Sequence, residues 1–291
     1  MIIKITIFIL LLSCGCGKIQ NIPGQSENIE NLKDKTPPDD STSISHISTI
    51  ETKSLEARVG ESKIEIKISE KRAQLPICYV NLHENENTSV VAGYSNLDKY
   101  GGFMIELKHR NTRNIRFVMD GQYVEFDPNR IFTETGIRAT LMNFGNSSKA
   151  AFDEVDGFRR ELIENVFEIP DCIVVSLHNN TNGSYSILNY RKGSENDIDA
   201  SEININKDWD PDDFFFVTEK KIYDALFEYG VNVVLQNNST AKDDGSLSVY
   251  CGKNNIPYVN VEAEHNHLDE QVKMLTIAEE VLSKLYKLNS K

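Results

Sequence analysis

Two histidines and a glutamate are the residues of this sequence whose types and spacing could bind a metal ion. His83 and Glu86 stand three residues apart, in the order His-x-x-Glu, and His178 lies 92 residues beyond Glu86. An imidazole and a carboxylate at the first spacing can converge on one ion in a tight loop. Catalytic zinc takes three protein ligands of nitrogen or oxygen type and keeps a fourth position for water. We therefore interpret His83, Glu86 and His178 as candidate zinc ligands.

Two late glutamates could provide the base that such a centre needs. Zinc lowers the pKa of its water toward ~7, and a carboxylate outside the ligand set can then accept the proton. Glu262 and Glu264 follow the mostly apolar segment 258–261, and either could serve. Because alternate residues of a strand share a face, both side chains are expected to point the same way.

The candidate residues belong to three polar clusters, at 83–88, 178–180 and 262–265. Each cluster follows an apolar segment that is typical of a buried strand. These segments cover residues 75–82, 172–177 and 256–262, and helical spacing of apolar residues covers 150–168 and 267–288. Buried strands that alternate with amphipathic helices predict an α/β fold with a central, mostly parallel mixed sheet flanked by helices. Sites in such sheets form at the carboxyl ends of the strands, so the three clusters are expected to meet.

The amino-terminal segment predicts export. Residues 1–16 contain one lysine followed by an apolar run too short to span a bilayer, which is typical of a signal peptide. The run ends in Leu11-Leu12-Ser13-Cys14, which resembles the lipobox of bacterial lipoproteins, with Cys14 as the acylated residue. Cys16 is a second candidate, and an ordinary signal peptide is the alternative. We expect a protein of the cell envelope, attached to the membrane through its lipid anchor.

The remainder of the chain divides into two parts. Residues 17–61 are polar and have few aromatic residues, so they predict a flexible tether. Residues 62–291 contain the strand and helix patterns and predict one catalytic domain.

Composition excludes some classes of protein and leaves others. A formal net charge of −13, from 31 basic and 44 acidic residues, argues against nucleic acid as a partner, because phosphate backbones require clustered Lys and Arg. Five cysteines without a Cys-x-x-Cys pair indicate neither a disulfide scaffold nor a structural zinc. We expect Cys78, Cys172 and Cys251 to be small core residues. The acidic segment 210–213 is interpreted as a solvated turn, with a second metal site as the alternative.

Four motifs in their order along the chain resemble the zinc carboxypeptidase superfamily, and within it the succinylglutamate desuccinylase and aspartoacylase branch. The resemblance covers about residues 75–288, and its motifs are His83-Glu84-Asn85-Glu86, Phe126-Asp127-Pro128-Asn129-Arg130-Ile131-Phe132, Leu177-His178 and Val261-Glu262. It implies a carboxypeptidase-like sheet with zinc at the three ligands named above.

The resemblance also implies the residues that contact the substrate. Asn129 and Arg130 match the pair that receives a terminal carboxylate, and a guanidinium suits that role because two parallel N–H bonds fix the plane of the carboxylate. Glu262 matches the catalytic glutamate of the late strand better than Glu264 does.

Two features of the family have no secure counterpart in this sequence. The electrophilic arginine could be Arg113 or Arg116, and Arg116 is preferred because its neighbours predict a strand. The tyrosine that closes over the substrate in digestive carboxypeptidases is absent from residues 237–244.

These observations predict a zinc-dependent hydrolase of amide bonds, of carboxypeptidase or deacylase type. Its substrate would be a carboxylate-bearing peptide or an acylated amino acid in the bacterial envelope. The alternative is a non-catalytic envelope lipoprotein that uses the same fold to bind carboxylated peptides, and the two missing features favour it.

Overall fold

The computed structural model describes residues 49–167 and 169–287. The predicted signal peptide, Cys14 and residues 17–48 lie outside the described residues. Within the described ranges, no helix combines the length and the apolar character that a membrane span requires.

A nine-stranded mixed sheet forms the centre of the fold. Its order is β1-β2-β4-β3-β7-β11-β9-β10-β8, and a separate hairpin joins β5 to β6. The strands are β1 (Glu51–Val59), β2 (Ser62–Lys71), β3 (Ile77–Asn81), β4 (Gly102–Lys108), β5 (Ile115–Met119), β6 (Gln122–Phe126), β7 (Ile173–Asn180), β8 (Ala200–Asn204), β9 (Phe214–Val217), β10 (Val233–Gln236) and β11 (Tyr258–Glu264).

Helices cover both faces of this sheet. One apolar core packs α1, α4 and α6 against it, and a second packs α2, α3 and α5 together with the β5–β6 hairpin against the opposite face. The helices are α1 (Asn87–Tyr100), α2 (Glu134–Asn143), α3 (Lys149–Phe167), α4 (Lys220–Glu228), α5 (Leu247–Asn254) and α6 (Leu268–Lys287).

The predicted α/β class with a mixed, helix-flanked sheet is confirmed, but parallel pairing is less extensive than expected. Across the described sheet, four of the eight strand pairings are parallel, and three of these join β4, β3, β7 and β11 at its centre. The outer strands are added mostly by antiparallel pairing, as in the β1–β2 hairpin.

The first strand corrects the predicted boundary of the tether. β1 (Glu51–Val59) pairs along its whole length with β2, although the sequence assigned it to the tether. Only Ala57 and Val59 of this strand are buried. Apolar residues alternate with polar ones only over the second half of the strand, at Leu55, Ala57 and Val59, so the exposed first half is held by backbone pairing with β2.

The central strands are apolar on both faces because helices cover both. Every residue of β3 and β7 is buried. On the face toward α2, α3 and α5, however, β7 and β11 carry a group of polar residues, which are Ser176, His178, Asn260 and Glu262. Buried polar side chains need partners, so this part of the sheet is where a site is to be sought.

One pair of predicted core cysteines is instead a disulfide. Cys78 of β3 and Cys172, which directly precedes β7, are bonded across 94 residues of sequence, with Cα atoms 6.1 Å apart. Both are core residues as predicted, but the disulfide is not predicted, because the pairing depends on β3 and β7 being neighbours in the sheet. Cys251 is a buried free cysteine, as predicted.

A buried carboxylate stabilises the β2–β4 side of the sheet. Glu106 is almost fully buried, with Lys108 Nζ at 2.6 Å, Lys67 Nζ at 3.3 Å, and the Tyr94 hydroxyl donating to it. Burial alone would raise the pKa of this carboxyl, but the contacts with Lys108, Tyr94 and Lys67 together lower it.

Replacing this carboxylate should destabilise the fold in a pH-dependent way. We expect Glu106→Gln to lower the free energy of unfolding by about 1–3 kcal/mol at pH 7, because two lysines lose their buried partner. Since the pKa of Glu106 is lower in the folded chain, this contribution is present above the ordinary carboxyl pKa and is lost as the pH falls through the lowered value. Urea unfolding from pH 7 toward pH 3 measures the difference. The exposed Glu70→Gln on β2 is the control, and a loss that does not change with pH would contradict the assignment.

Candidate metal and active site

The three predicted ligands lie together at the carboxyl ends of β3 and β7. His83 and Glu86 occupy the loop between β3 and α1, and His178 is near the end of β7. Glu86 lies between the two imidazoles, with His83 Nδ1 2.9 Å from its Oε1 and His178 Nδ1 3.0 Å from its Oε2. All three residues are buried, and their ligand atoms lie within 4.8 Å of one another.

Glu86 is held as a buried anion. Burial alone would raise its pKa, but His83 and His178 lower it well below the ordinary value. The backbone N–H of Asn179 donates to Oε2 at 3.1 Å, and Arg113 donates to Oε1 at 2.6 Å. The carboxylate therefore stays ionised, as a metal ligand must.

This donor set fits a zinc ion. Two imidazole nitrogens and one carboxylate are the ligand types that catalytic zinc takes from proteins. His83 Nδ1 is buried and forms no hydrogen bond despite its closeness to Glu86, so it is an unused donor atom pointing into the cluster. A cation would satisfy it.

Carboxylate and hydroxyl groups hold the far sides of both imidazole rings. His83 Nε2 lies 2.8 Å from Asp127 Oδ1, and His178 Nε2 lies 3.0 Å from Ser176 Oγ. Burial would raise the pKa of Asp127, but the contacts with His83 lower it well below its ordinary value. Such partners fix the ring orientation and the tautomer, leaving Nδ1 of each ring for the metal.

Glu262 lies beside the ligand cluster. It is opposite His178 in the parallel register of β7 and β11, it is buried, and Asn260 Nδ2 donates to its Oε1 at 3.1 Å. Burial is the main cause that raises its pKa, and the neighbouring Glu86 carboxylate adds to the effect. A buried carboxylate next to a metal cluster, with a raised pKa, suits a group that accepts and returns a proton.

Glu264 lies outside this site, which corrects its candidacy as the base. It is the last residue of β11, and its Oε2 accepts a hydrogen bond from Asn182 at 3.0 Å and lies 3.7 Å from His267. It does not line the cavity that contains Glu262. Glu264 is paired with Asn180 at the end of the sheet, two residues beyond the His178–Glu262 pair, so only Glu262 of the two lines the cavity with Glu86 and His178.

A cavity of about 430 Å³ opens over the ligand cluster and Glu262. Asn129 and Arg130, from a short 3-10 helix at Pro128–Arg130, line it. Asn129 Oδ1 accepts the backbone N–H of Leu247 at 3.0 Å, and Arg130 Nε lies 3.6 Å from Asp244 Oδ2. The Arg130 guanidinium is therefore available in the same cavity as the candidate ligands.

A close contact between two glycines positions the part of the cavity wall that contains Arg130. Gly245, with φ +80°, lies so close to Gly136 that a Cβ on Gly136 would be 2.2 Å from the Gly245 Cα. Phe132 N–H also donates to Gly245 O at 2.9 Å. Residues with side chains could not approach in this way, so the arrangement of Arg130 beside α5 depends on both glycines.

The structure places Arg113, rather than the preferred Arg116, in the cavity. Arg113 lines it and contacts Glu86, with Asp127 Oδ2 at 3.8 Å from its Nη2. Arg116 lies on β5, where it pairs with Glu125 across the hairpin at 2.6 Å. The strand prediction for Arg116 is correct, but that strand belongs to the hairpin and directs the side chain away from the cavity.

Several cavity residues were missed by the sequence reasoning. Tyr185 and Tyr190 line the cavity and contact each other through their hydroxyls. Both lie before residues 237–244, the loop in which the family resemblance predicts a tyrosine. Asp127 does not line the cavity but contacts His83, and the signal for it is its position two residues before Asn129 in the same motif.

Solved structures similar to this chain include the predicted group. An aspartoacylase family protein from Mesorhizobium loti is 13% identical, with 81% of this chain and 68% of that chain covered and a TM-score of 0.47. A succinylglutamate desuccinylase/aspartoacylase from Rhodobacter sphaeroides is 14% identical, with 80% and 65% covered and a TM-score of 0.42. Thrombin activatable fibrinolysis inhibitor is 11% identical, with 81% and 72% covered and a TM-score of 0.41.

No protein-family model and no curated protein sequence matches the chain. The roles of the cavity residues rest on their own geometry.

The contact behind His83 gives a prediction for metal affinity. We expect Asp127→Ala to weaken zinc binding about 10–100-fold, because His83 loses the partner that orients its ring. Competition with a chromophoric chelator measures the dissociation constant. Asp153→Ala, an exposed change on α3, is the control and should leave the constant unchanged. Equal affinities for both variants would show that Asp127 does not support the ligand.

Proposed function

We propose that this protein is a zinc-dependent hydrolase of amide bonds. The observation that carries the proposal is the cluster of His83, Glu86 and His178, whose members Glu86 and His178 line one cavity together with the buried carboxylate of Glu262. When bound by the three ligands, zinc would supply a Lewis acid that polarises a carbonyl and acidifies water.

Glu262 accepts and returns the proton in this proposal. Its raised pKa lets the carboxylate take a proton from the attacking water and then deliver it to the leaving amine. Asn260 holds Oε1 of Glu262 in position. The second oxygen is left for the water.

Two arginines of the cavity have separate roles in this proposal. Arg113, next to Glu86, is placed to stabilise negative charge that develops on the carbonyl oxygen. Arg130 is placed to bind a carboxylate of the substrate through two parallel N–H bonds. A substrate with a free carboxylate near the scissile amide satisfies both groups, which is the pattern of a carboxypeptidase or of a deacylase acting on acylated amino acids.

We also propose that the enzyme works in the cell envelope, anchored through a lipid on Cys14. Support comes from the signal-like segment and from the Cys78–Cys172 disulfide, since disulfides persist in oxidising compartments outside the cytoplasm. Labelled palmitate should be incorporated into the full chain and not into Cys14→Ala, and equal labelling of the two would refute the anchor at Cys14.

Replacing the proposed base should separate chemistry from metal binding. We expect Glu262→Gln to retain one equivalent of zinc at the ligand cluster and to lower kcat about 10²–10⁴-fold, because the amide cannot accept a proton. The assay uses a panel of N-acyl amino acids and dipeptides, each as the free carboxylate and as the carboxamide. The free acids should be cleaved and the carboxamides should not.

The controls define what would overturn the proposal. Glu70→Gln, on the surface of β2, should keep full activity. Retained activity in Glu262→Gln, with loss in Glu264→Gln, would transfer the role to Glu264. Tight binding of the free acids without turnover by the zinc-loaded wild-type chain would instead show a binding protein.

The two candidate arginines give a matched pair of variants. We expect Arg113→Met to lower kcat roughly 10²-fold with a smaller change in KM, because a group that stabilises the transition state is removed. Arg116→Met removes only a contact with Glu125 on the hairpin and should stay close to wild type. Steady-state kinetics on the best substrate of the panel provides both constants, and the reverse ranking of the variants would contradict the placement of Arg113.

A further inference from the structure

A second group of potential metal ligands lies beyond the end of β11. It contains Asp210, from the loop before β9, Glu264, the last residue of β11, and His267, directly before α6. One ligand atom from each residue lies within 4.8 Å of the other two. Three separate elements therefore bring one imidazole and two carboxylates together.

The separations suit a shared cation better than direct hydrogen bonds. His267 Nε2 lies 3.7 Å from Glu264 Oε2, which is too long for a hydrogen bond. Two ligands held tetrahedrally at about 2.1 Å from one zinc lie about 3.4 Å apart. Glu264 Oε2 also accepts one hydrogen bond from Asn182 Nδ2, at 3.0 Å, which leaves it free to bind a cation as well.

A buried carboxylate stands behind the imidazole. Asp213 is only 4% exposed, and its Oδ1 accepts the backbone N–H of Glu264 at 3.0 Å. Its Oδ2 faces His267 Nδ1 at 4.0 Å, and no hydrogen bond to Oδ2 is formed within the described part of the chain. His267 Nδ1 is itself buried and has no hydrogen-bond partner there. His267 Nδ1 and Asp213 Oδ2 would pair if His267 shifted slightly to take a ligand role.

The surrounding charge favours a cation. A cavity of about 260 Å³ adjoins the group, and carboxylates dominate its lining, which includes Asp208, Asp210, Asp213 and Glu270. Lys273 is the cation in that lining, and its Nζ lies over the Trp209 ring, 4.8 Å from the ring centre. The acidic side chains thus exceed the basic ones around His267.

We propose that Asp210, Glu264 and His267 form a second site for a divalent transition-metal cation, with Asp213 as the carboxylate that orients His267. An imidazole ligand selects transition metals over magnesium and calcium, which prefer oxygen ligands alone. The arrangement repeats that of the first site, where Asp127 stands behind His83. The solvated-turn interpretation of segment 210–213 is replaced by a segment that supplies one ligand and its supporting carboxylate.

Zinc stoichiometry tests this site on the full chain. Metal-free protein is titrated with zinc chloride in a calorimeter, and we expect two equivalents for the wild type. His267→Ala should bind one equivalent, and so should the more conservative Asp210→Asn/Glu264→Gln double variant. His265→Ala, an exposed histidine two residues away, is the matched control and should bind two. Circular dichroism confirms that each variant is folded.

The outcomes separate this site from the proposed catalytic one. His178→Ala should lose the other equivalent and keep the one that depends on His267. A single equivalent in both the wild type and His267→Ala overturns the second site. A single wild-type equivalent that is lost in His267→Ala and kept in His178→Ala supports the second site and overturns zinc at the catalytic cluster.

Discussion

The cavity depends on the burial of one carboxylate. An ionised carboxylate taken out of water is costly unless hydrogen bonds and opposite charges surround it. The two oxygens of Glu86 are therefore contacted by His83, His178, Arg113 and the backbone N–H of Asn179. These groups come from three parts of the chain, and the loss of any of them would remove part of the compensation for the buried charge. The need to compensate the buried charge of Glu86 therefore also brings the candidate metal-ligand atoms of His83, Glu86 and His178 together.

Strand register supplies the rest of the arrangement. β7 and β11 are parallel neighbours, and their pairing sets Glu262 directly opposite His178 and Asn260 opposite Ser176. A shift by one residue would exchange this polar set for the apolar residues that pack against α1, α4 and α6. The apolar set is buried in a core of its own, so the register of the site is secured by packing on the opposite face of the sheet.

The parts of the site that the sequence predicts are those in which a side chain lies at or shortly beyond the end of an apolar run. His178 and Glu262 lie near the carboxyl ends of β7 and β11, and Glu86 lies in the loop that follows β3, so the chemistry and the strand end are visible in the same short segment. Arg113 could not be distinguished from Arg116, since the β5–β6 hairpin turns its strand away from the main sheet. β1 was missed because its stability comes from pairing with β2, and most of its side chains are exposed.

The excess of acidic over basic residues in the chain is also found among the side chains that line the cavity. Four carboxylates and three basic side chains line it, and they are Glu86, Asp199, Asp244, Glu262, Arg113, Arg130 and Lys242. With Glu262 ionised, these groups alone give a net negative charge, which opposes the entry of a carboxylate. A dication at the ligand cluster would reverse the sign. In the proposed hydrolase, the affinity of Arg130 for an anionic substrate would therefore depend on metal occupancy, because the ion that activates the amide would also remove the electrostatic barrier to binding.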